Sequence, residues 1–125
     1  MRRPVALVVD DEADIRSVIT FVLDAAGFEV HEESDGEAGL VTAGEVHPDV
    51  VLLDWMMPRM SGVEACRELR RDTDQDSTVV ILLTAKAQES DIALGFAAGA
   101  QDYIVKPFSP RELVGRVQAL LAGTG

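Results

Sequence analysis

The sequence predicts a doubly wound α/β domain, a parallel sheet covered by helices on both faces. Three observations carry this expectation. Strand-like and helix-like segments alternate from one end of the chain to the other. Four of the strand-like runs are continuously apolar and rich in Val, Ile and Leu, as strands buried on both faces are: Val5–Val9, Val50–Leu53, Val79–Leu83 and Tyr103–Val105. Each of these runs stops on a polar residue, at Asp10, Asp54, Thr84 and Lys106, with Asp11 directly behind Asp10. Ligands of open α/β sheets bind at the carboxyl ends of the strands. Neighbouring parallel strands would therefore gather carboxylates, a hydroxyl and an ammonium in one crevice, a set suited to a divalent cation and a phosphoryl group.

The elements follow in order. After the first strand, Ile15, Val18, Ile19, Val22 and Leu23 fall at helical spacing and predict one apolar face, with Gly27 placed to end the helix in the left-handed conformation. Phe28–His31 reads as a short alternating strand near a sheet edge. Asp35 is positioned to cap a second helix carrying Ala38, Leu40 and Val41 and ending before Pro48. Ser61 and Glu64 have the spacing of a capping box for a third helix buried through Val63, Cys66 and Leu69. A fourth helix is expected from Gln88 to Ala98, carrying Ile92 and Phe96 and stopping at Gly99. Ser109-Pro110-Arg111-Glu112 forms a second capping box with proline at the first helical position. The helix it opens buries Leu113, Val117, Leu120 and Leu121 and is expected to stop at Gly123. The count is five strands and five helices in a single domain, residues 1–125, with right-handed crossovers.

Composition narrows the class. A chain of 125 residues with 47% hydrophobic and 26% charged residues fits one globular domain. No apolar stretch nears the roughly 18–20 residues of a membrane span, and the opening Met-Arg-Arg-Pro leaves no room for a signal-peptide core. The one cysteine, Cys66, has no partner for an internal disulfide. These features predict a cytoplasmic protein without membrane association. The net charge of −11 disfavours direct nucleic-acid binding, which rests on neutralising phosphates with Lys and Arg.

The strand-end residues have a coherent chemistry. Two unit charges about 4 Å apart repel by roughly 4 kcal/mol at an effective dielectric near 20, so Asp10, Asp11 and Asp54 held together call for a cation. Mg²⁺ suits such a site, because it accepts few protein carboxylates together with water and substrate phosphate. One carboxylate could then act as nucleophile toward a phosphoryl donor, with the metal and Lys106 neutralising charge on the group in transfer. Plainer readings exist for each residue. Asp10 and Asp11 could cap the first helix, Thr84 could be an ordinary strand-end hydroxyl, and Tyr103 a half-buried aromatic. Cys66 reads as a small core hydrophobe, and His31 and His47 as surface or strand-end residues.

Taken in order, these pieces resemble the receiver domain of two-component response regulators. The resemblance runs nearly end to end: Asp10-Asp11, Asp54-Trp55-Met56-Met57-Pro58 followed by Gly62, Thr84-Ala85, Gly99-Ala100, and Tyr103 before Lys106-Pro107-Phe108. It implies a flavodoxin-like sheet of order 2-1-3-4-5, the order the chemotaxis receiver exemplifies. It also implies roles. Asp54 would take a phosphoryl group from the histidine of a sensor kinase or phosphotransfer protein. Mg²⁺ would be held by Asp11, Asp54 and the backbone carbonyl of Met56, with Asp10 acting partly through water. Lys106 would pair with a phosphoryl oxygen and Thr84 donate to another. Thr84 and Tyr103 would form the switch, and Lys106-Pro107 would be a cis peptide. Met57 would be buried, while Met56 and Lys86 would flank the path of water to the phosphoryl group.

The chain departs from the subfamily of winged-helix transcription factors on the face built by the fourth helix, fifth strand and fifth helix. Asp102, Glu112 and Arg116 fit the charge pattern through which that subfamily forms homodimers, but Ile92 replaces a base, Ala97 an acid and Gln118 a base. The leading expectation is a phosphorylation-controlled switch with slow self-catalysed phosphotransfer and dephosphorylation, not a turnover enzyme. It would act on an output domain or target protein, either alone or as the N-terminal receiver of a longer, for example DNA-binding, regulator. The alternatives are an aspartyl-phosphate phosphatase or phosphotransferase, and a pseudo-receiver that binds a partner without phosphorylation.

Overall fold

A computed structural model describes residues 2–85 and 89–124. Strand and helix alternate as β1 (Val5–Val9), α1 (Ala13–Ala25), β2 (Glu29–Glu33), α2 (Gly36–Val46), β3 (Val50–Asp54), α3 (Gly62–Arg71), a 3-10 turn (Thr73–Gln75), β4 (Val79–Thr84), α4 (Glu89–Ala97), β5 (Asp102–Val105) and α5 (Pro110–Thr124). Among the described residues the strands form one parallel sheet of order β2-β1-β3-β4-β5. This is the expected flavodoxin-like architecture.

The period-two alternation of the strands sorts their side chains to two cores. Leu7, Val9, Val51, Leu53, Val80 and Leu82 face α2, α3 and α4, where they meet Ala43, Val63, Cys66, Leu69 and Ala98. Ala6, Val8, Val50, Leu52, Ile81 and Leu83 face α1 and α5, where they meet Ile19, Leu23, Leu113 and Val117. Each fully buried Leu or Ile contributes roughly 1.5–3 kcal/mol of transfer free energy, so the central strands are the strongest determinant of the layering.

Local signals held at most element ends. Gly27 adopts φ 99°, and the Gly27 and Phe28 amides donate to the Asp24 and Leu23 carbonyls, closing the end of α1. Asp35 caps α2 by accepting from the Ala38 amide at 2.9 Å. The Ser61–Glu64 capping box is complete, with both reciprocal hydrogen bonds present. Ser109 Oγ accepts from the Glu112 amide at 3.0 Å at the start of α5.

Other expectations need correction. The second strand begins at Glu29 and runs to Glu33, while Phe28 precedes it and is buried as an anchor. On α1 the buried stripe centres on Ile19 and Leu23, and Val18 is exposed on its flank. Val41 of α2 faces solvent, because Gly39 and Ala43 make the close approach to the sheet. On α4 Gly95 is buried and Ile92 half-buried, whereas Phe96 is exposed; Ala98, just past the helix, is buried. Helix α5 passes through Gly123 to Thr124, since one helical glycine weakens a helix without stopping it. The expected helix start at Gln88 lies outside the described residues. Cys66 is buried as expected, His31 pairs with Glu29 at 2.8 Å, and His47 ends α2 with φ 49°. Among the described residues no helix is long and apolar enough to cross a membrane.

Candidate functional site

The parallel order brings the carboxyl ends of β1, β3, β4 and β5 side by side. Asp10 follows β1, where its amide donates to the Glu33 carbonyl of β2. Asp54 ends β3, Thr84 ends β4, and Lys106 follows β5 with its amide donating to the Thr84 carbonyl at 2.7 Å. Asp10 is 0% exposed, Asp54 4% and Thr84 5%. These polar groups are placed where the strand ends open onto solvent, not in the apolar layers.

Lys106 sits at the centre of the arrangement. Its Nζ lies 3.1 Å from Asp10 Oδ2, 3.1 Å from Asp54 Oδ1 and 3.5 Å from Glu12 Oε1. Asp10 is held rigidly: its second carboxylate oxygen accepts from the Glu12 amide at 2.9 Å, and its carbonyl accepts from Arg16 Nη1 at 2.7 Å. Carboxylate oxygens of Asp10, Asp11, Glu12 and Asp54 all lie within 4.8 Å of one another. Glu12 is the residue that the sequence reading missed, although the unbroken run Asp10-Asp11-Glu12 was the available signal.

Electrostatics show that the cluster carries more negative charge than one ammonium compensates. Burial, then repulsion from Asp10, pushes the Asp54 carboxyl up from 3.8 to about 6, against the opposing pull of Lys106. For Lys106, burial lowers the affinity for its proton, but the hydrogen bond and charge of Asp10 and the charge of Asp54 outweigh it, and the net shift is upward. An ammonium so paired stays charged at neutral pH. The donor set is all oxygen and all carboxylate, the chemistry of a hard divalent cation such as Mg²⁺. The residues present therefore fit the ion that the sequence reading expected.

The loop after β3 is shaped by one close approach. The Gly62 amide donates to the Trp55 carbonyl at 2.9 Å, and a Cβ at Gly62 would stand 2.4 Å from the Asp54 carbonyl oxygen. Glycine is required there for α3 to begin directly beneath the end of β3. Met57 is buried, while Met56 in the same loop has a side chain 71% exposed. Lys86, the other residue expected to flank the water path, lies outside the described residues. The Lys106-Pro107 peptide is cis.

Tyr103, on β5 opposite Leu82, is half-buried and packs edge to face on Phe96, ring centroids 6.1 Å apart. It shares a cleft with Thr84, Trp55 and Gly95. On the same face Asp102 pairs with Arg116 inside the chain at 3.1 Å. Two of the three residues that fitted an intermolecular pattern, Asp102 and Arg116, are thus satisfied within one molecule.

Comparison with known proteins agrees with this geometry. The family model described as response regulator receiver domain matches residues 6–118. The phosphate regulon transcriptional regulatory protein PhoB of Pseudomonas aeruginosa is 46% identical over 119 residues, 95% of this chain and 52% of its own length. The DNA-binding response regulator MtrA of Mycobacterium tuberculosis H37Rv is 46% identical over 115 residues, 92% of this chain and 49% of its own length. The chain thus spans about half the length of these curated relatives. Among solved structures, the chemotaxis protein CheY4 of Vibrio cholerae superposes with a TM-score of 0.91 at 32% identity, covering 94% of this chain and 98% of that one. The BeF3-activated DrrB receiver domain superposes at 0.86 with 36% identity, covering 97% and 99%. Strand-end chemistry, sheet order and both kinds of likeness converge: this chain belongs to the receiver-domain family of two-component response regulators.

Proposed function

We propose that Asp54 is the phospho-acceptor of this receiver, taking a phosphoryl group from a phosphohistidine on a sensor kinase or phosphotransfer protein. The observation that carries the reading is Lys106 Nζ at 3.1 Å from both Asp54 and Asp10, which belong to a cluster of four carboxylates. An Asp54 carboxylate oxygen attacks phosphorus, the P–N bond to histidine breaks, and an acyl phosphate forms. Lys106 then exchanges its contact with Asp54 for one with a phosphoryl oxygen. Asp11, Asp54 and the Met56 carbonyl, with Asp10 acting partly through water, would hold a Mg²⁺ ion, which would supply charge neutralisation for the group in transfer. Thr84, buried on the neighbouring strand, donates its hydroxyl to a phosphoryl oxygen, and Tyr103 turns into the cleft behind it.

This chemistry proceeds once per signal, so we read the domain as a switch rather than a turnover enzyme. The output is proposed to lie in a further domain or a separate target, as the names of PhoB and MtrA suggest for those proteins. Contact with nucleic acid is assigned to such a partner, because this chain's net charge of −11 repels phosphates. A homodimer through α4, β5 and α5 remains a proposal without copied ion pairs, since Asp102 and Arg116 engage each other.

The test is intact mass after incubation with Mg²⁺ and acetyl phosphate. One phosphoryl adduct is expected, absent in Asp54→Ala and absent without the metal. Rapid multiple turnover would favour a phosphatase or phosphotransferase, and no adduct a pseudo-receiver.

A further inference from the structure

Arg16 stands where helix electrostatics disfavour it. It lies in the first turn of α1, at the positive end of the helix dipole, where an acid is the favoured residue. Its side chain is nonetheless only 20% exposed, against 43–78% for the ion-paired Arg2, Arg3, Arg59, Arg71 and Arg116. The guanidinium is therefore held, and two groups at the carboxyl end of the sheet hold it. Its Nη1 donates to the Asp10 carbonyl at 2.7 Å, and its Nε lies 3.5 Å from Glu32 Oε1 on β2.

The bond to the Asp10 carbonyl acts on the residue that follows. A peptide unit is planar, so fixing the Asp10 oxygen fixes the plane that leads to the Asp11 Cα. The side chain of Glu12, at the start of α1, makes no capping hydrogen bond, so the turn between β1 and α1 is held by other means. The Glu12 amide, donating to the Asp10 carboxylate, holds the peptide after Asp11. Arg16 holds the peptide before it. Clamped from both sides, Asp11 brings a carboxylate oxygen within 4.8 Å of those of Asp10, Glu12 and Asp54.

We propose that Arg16 is a positioning residue of the cation site: by holding the peptide between Asp10 and Asp11, it directs the Asp11 carboxylate toward Asp54. The inference rests on the reading above that Asp11 would hold Mg²⁺. Charge and position predict opposite signs. A guanidinium beside the carboxylates repels an incoming cation, so removing it tightens binding if charge is all that it contributes. If it holds the Asp11 peptide, removing it weakens binding, as loss of the partner behind a metal ligand does by roughly 10–100-fold.

Titration calorimetry with Mg²⁺ alone tests it, at a temperature where thermal melts show each variant folded. Arg16→Met keeps the aliphatic stem and is expected to weaken Mg²⁺ binding about tenfold. Arg16→Lys keeps the charge and one donor, and is expected to recover part of that loss. At saturating Mg²⁺, acetyl phosphate should give Arg16→Met its adduct within about twofold of the wild-type rate, because Arg16 touches no reacting atom. Unchanged or tighter Mg²⁺ binding in Arg16→Met overturns the proposal. A rate that stays low at saturating Mg²⁺ overturns it too, as does an Arg16→Lys affinity no better than that of Arg16→Met. If Arg16→Met does not fold, Arg16→Lys decides: its charge is conserved, so weakened binding reports position and wild-type affinity overturns the proposal. Asp11→Asn separates the two readings. If it binds Mg²⁺ as tightly as the wild-type chain, or if the wild-type chain binds none, the cation reading fails and this one with it. Weakened binding in Asp11→Asn beside unchanged binding in Arg16→Met overturns the positioning role alone.

Discussion

Asp54 must ionise to act as a nucleophile, yet it is 4% exposed and faces the charge of Asp10. Its carboxyl is raised to about 6, above its unfolded value near 3.9. The folded chain therefore binds more protons than the unfolded chain between about pH 4 and 6, and stability falls as pH rises through that window. The penalty is absent below the unfolded value and complete above the folded one, on the order of 3 kcal/mol for a shift of this size. In the metal-free protein Asp54→Asn is expected to be more stable than wild type by up to about that amount at pH 7.5 and no more stable near pH 4. Denaturant midpoints at the two pH values, in the presence of a chelator, check this; an equal difference at both would show that burial of Asp54 is not the cause.

Met56 belongs to the same scale. Its thioether side chain is 71% exposed, two residues beyond Asp54. A bulky apolar group there neither binds nor activates water, so it is expected to slow hydrolysis of the acyl phosphate. Met56→Asn should shorten the lifetime of the phosphorylated form several-fold, followed by decay of the adduct mass after the phosphodonor is removed. An unchanged lifetime would remove Met56 from the water path.

At the scale of the element, the β3–α3 connection does most to place Asp54, the proposed nucleophile. Ser61→Ala removes one arm of a complete capping box, a loss of about 1 kcal/mol. Gly62→Ala should cost more, because its Cβ would meet the Asp54 carbonyl oxygen at 2.4 Å and backbone atoms must give way. The distinguishing outcome is functional. Both variants lose stability in thermal melts, but only Gly62→Ala should also slow formation of the adduct, since it alone displaces the strand end that carries Asp54. Equal phosphorylation rates in the two variants would count against this positioning role.

For the molecule as a whole, the excess of carboxylates at one end of the sheet would make folding and the proposed metal binding linked equilibria. A ligand that binds the folded state alone stabilises it by RT ln(1 + [L]/Kd), about 2.7 kcal/mol at a hundredfold excess over Kd. Mg²⁺ is expected to raise the melting temperature of the wild-type chain and to do so much less in Asp11→Asn. An equal rise in both would mean that the ion acts elsewhere on this acidic surface.

Much of this was legible in the chain because it rests on short-range pattern. Continuous Val, Ile and Leu runs dictate buried parallel strands, and the polar residue ending each run dictates that Asp10, Asp54, Thr84 and Lys106 meet once those strands lie side by side. Asp35, Ser61 and Gly27 likewise act on backbone groups a few residues away, so their roles follow from spacing alone. Glu12 entered the carboxylate group only because its amide bonds to Asp10 and turns the chain toward Lys106. On α4 Gly95 makes the close approach to the sheet, because the depth over Leu82 and Trp55 leaves no room for a side chain there, while half-buried Ile92 lines the neighbouring cleft. Asp102 and Arg116 pair within one molecule for a similar reason, the spacing of β5 and α5 across the surface. The sequence by itself determined the sheet, its layers and the chemistry at the strand ends, since these depend on period and local hydrogen bonding. Only the tertiary structure decided how closely α4 seats and what fills the cleft behind Thr84, since those depend on distances between side chains far apart in the chain.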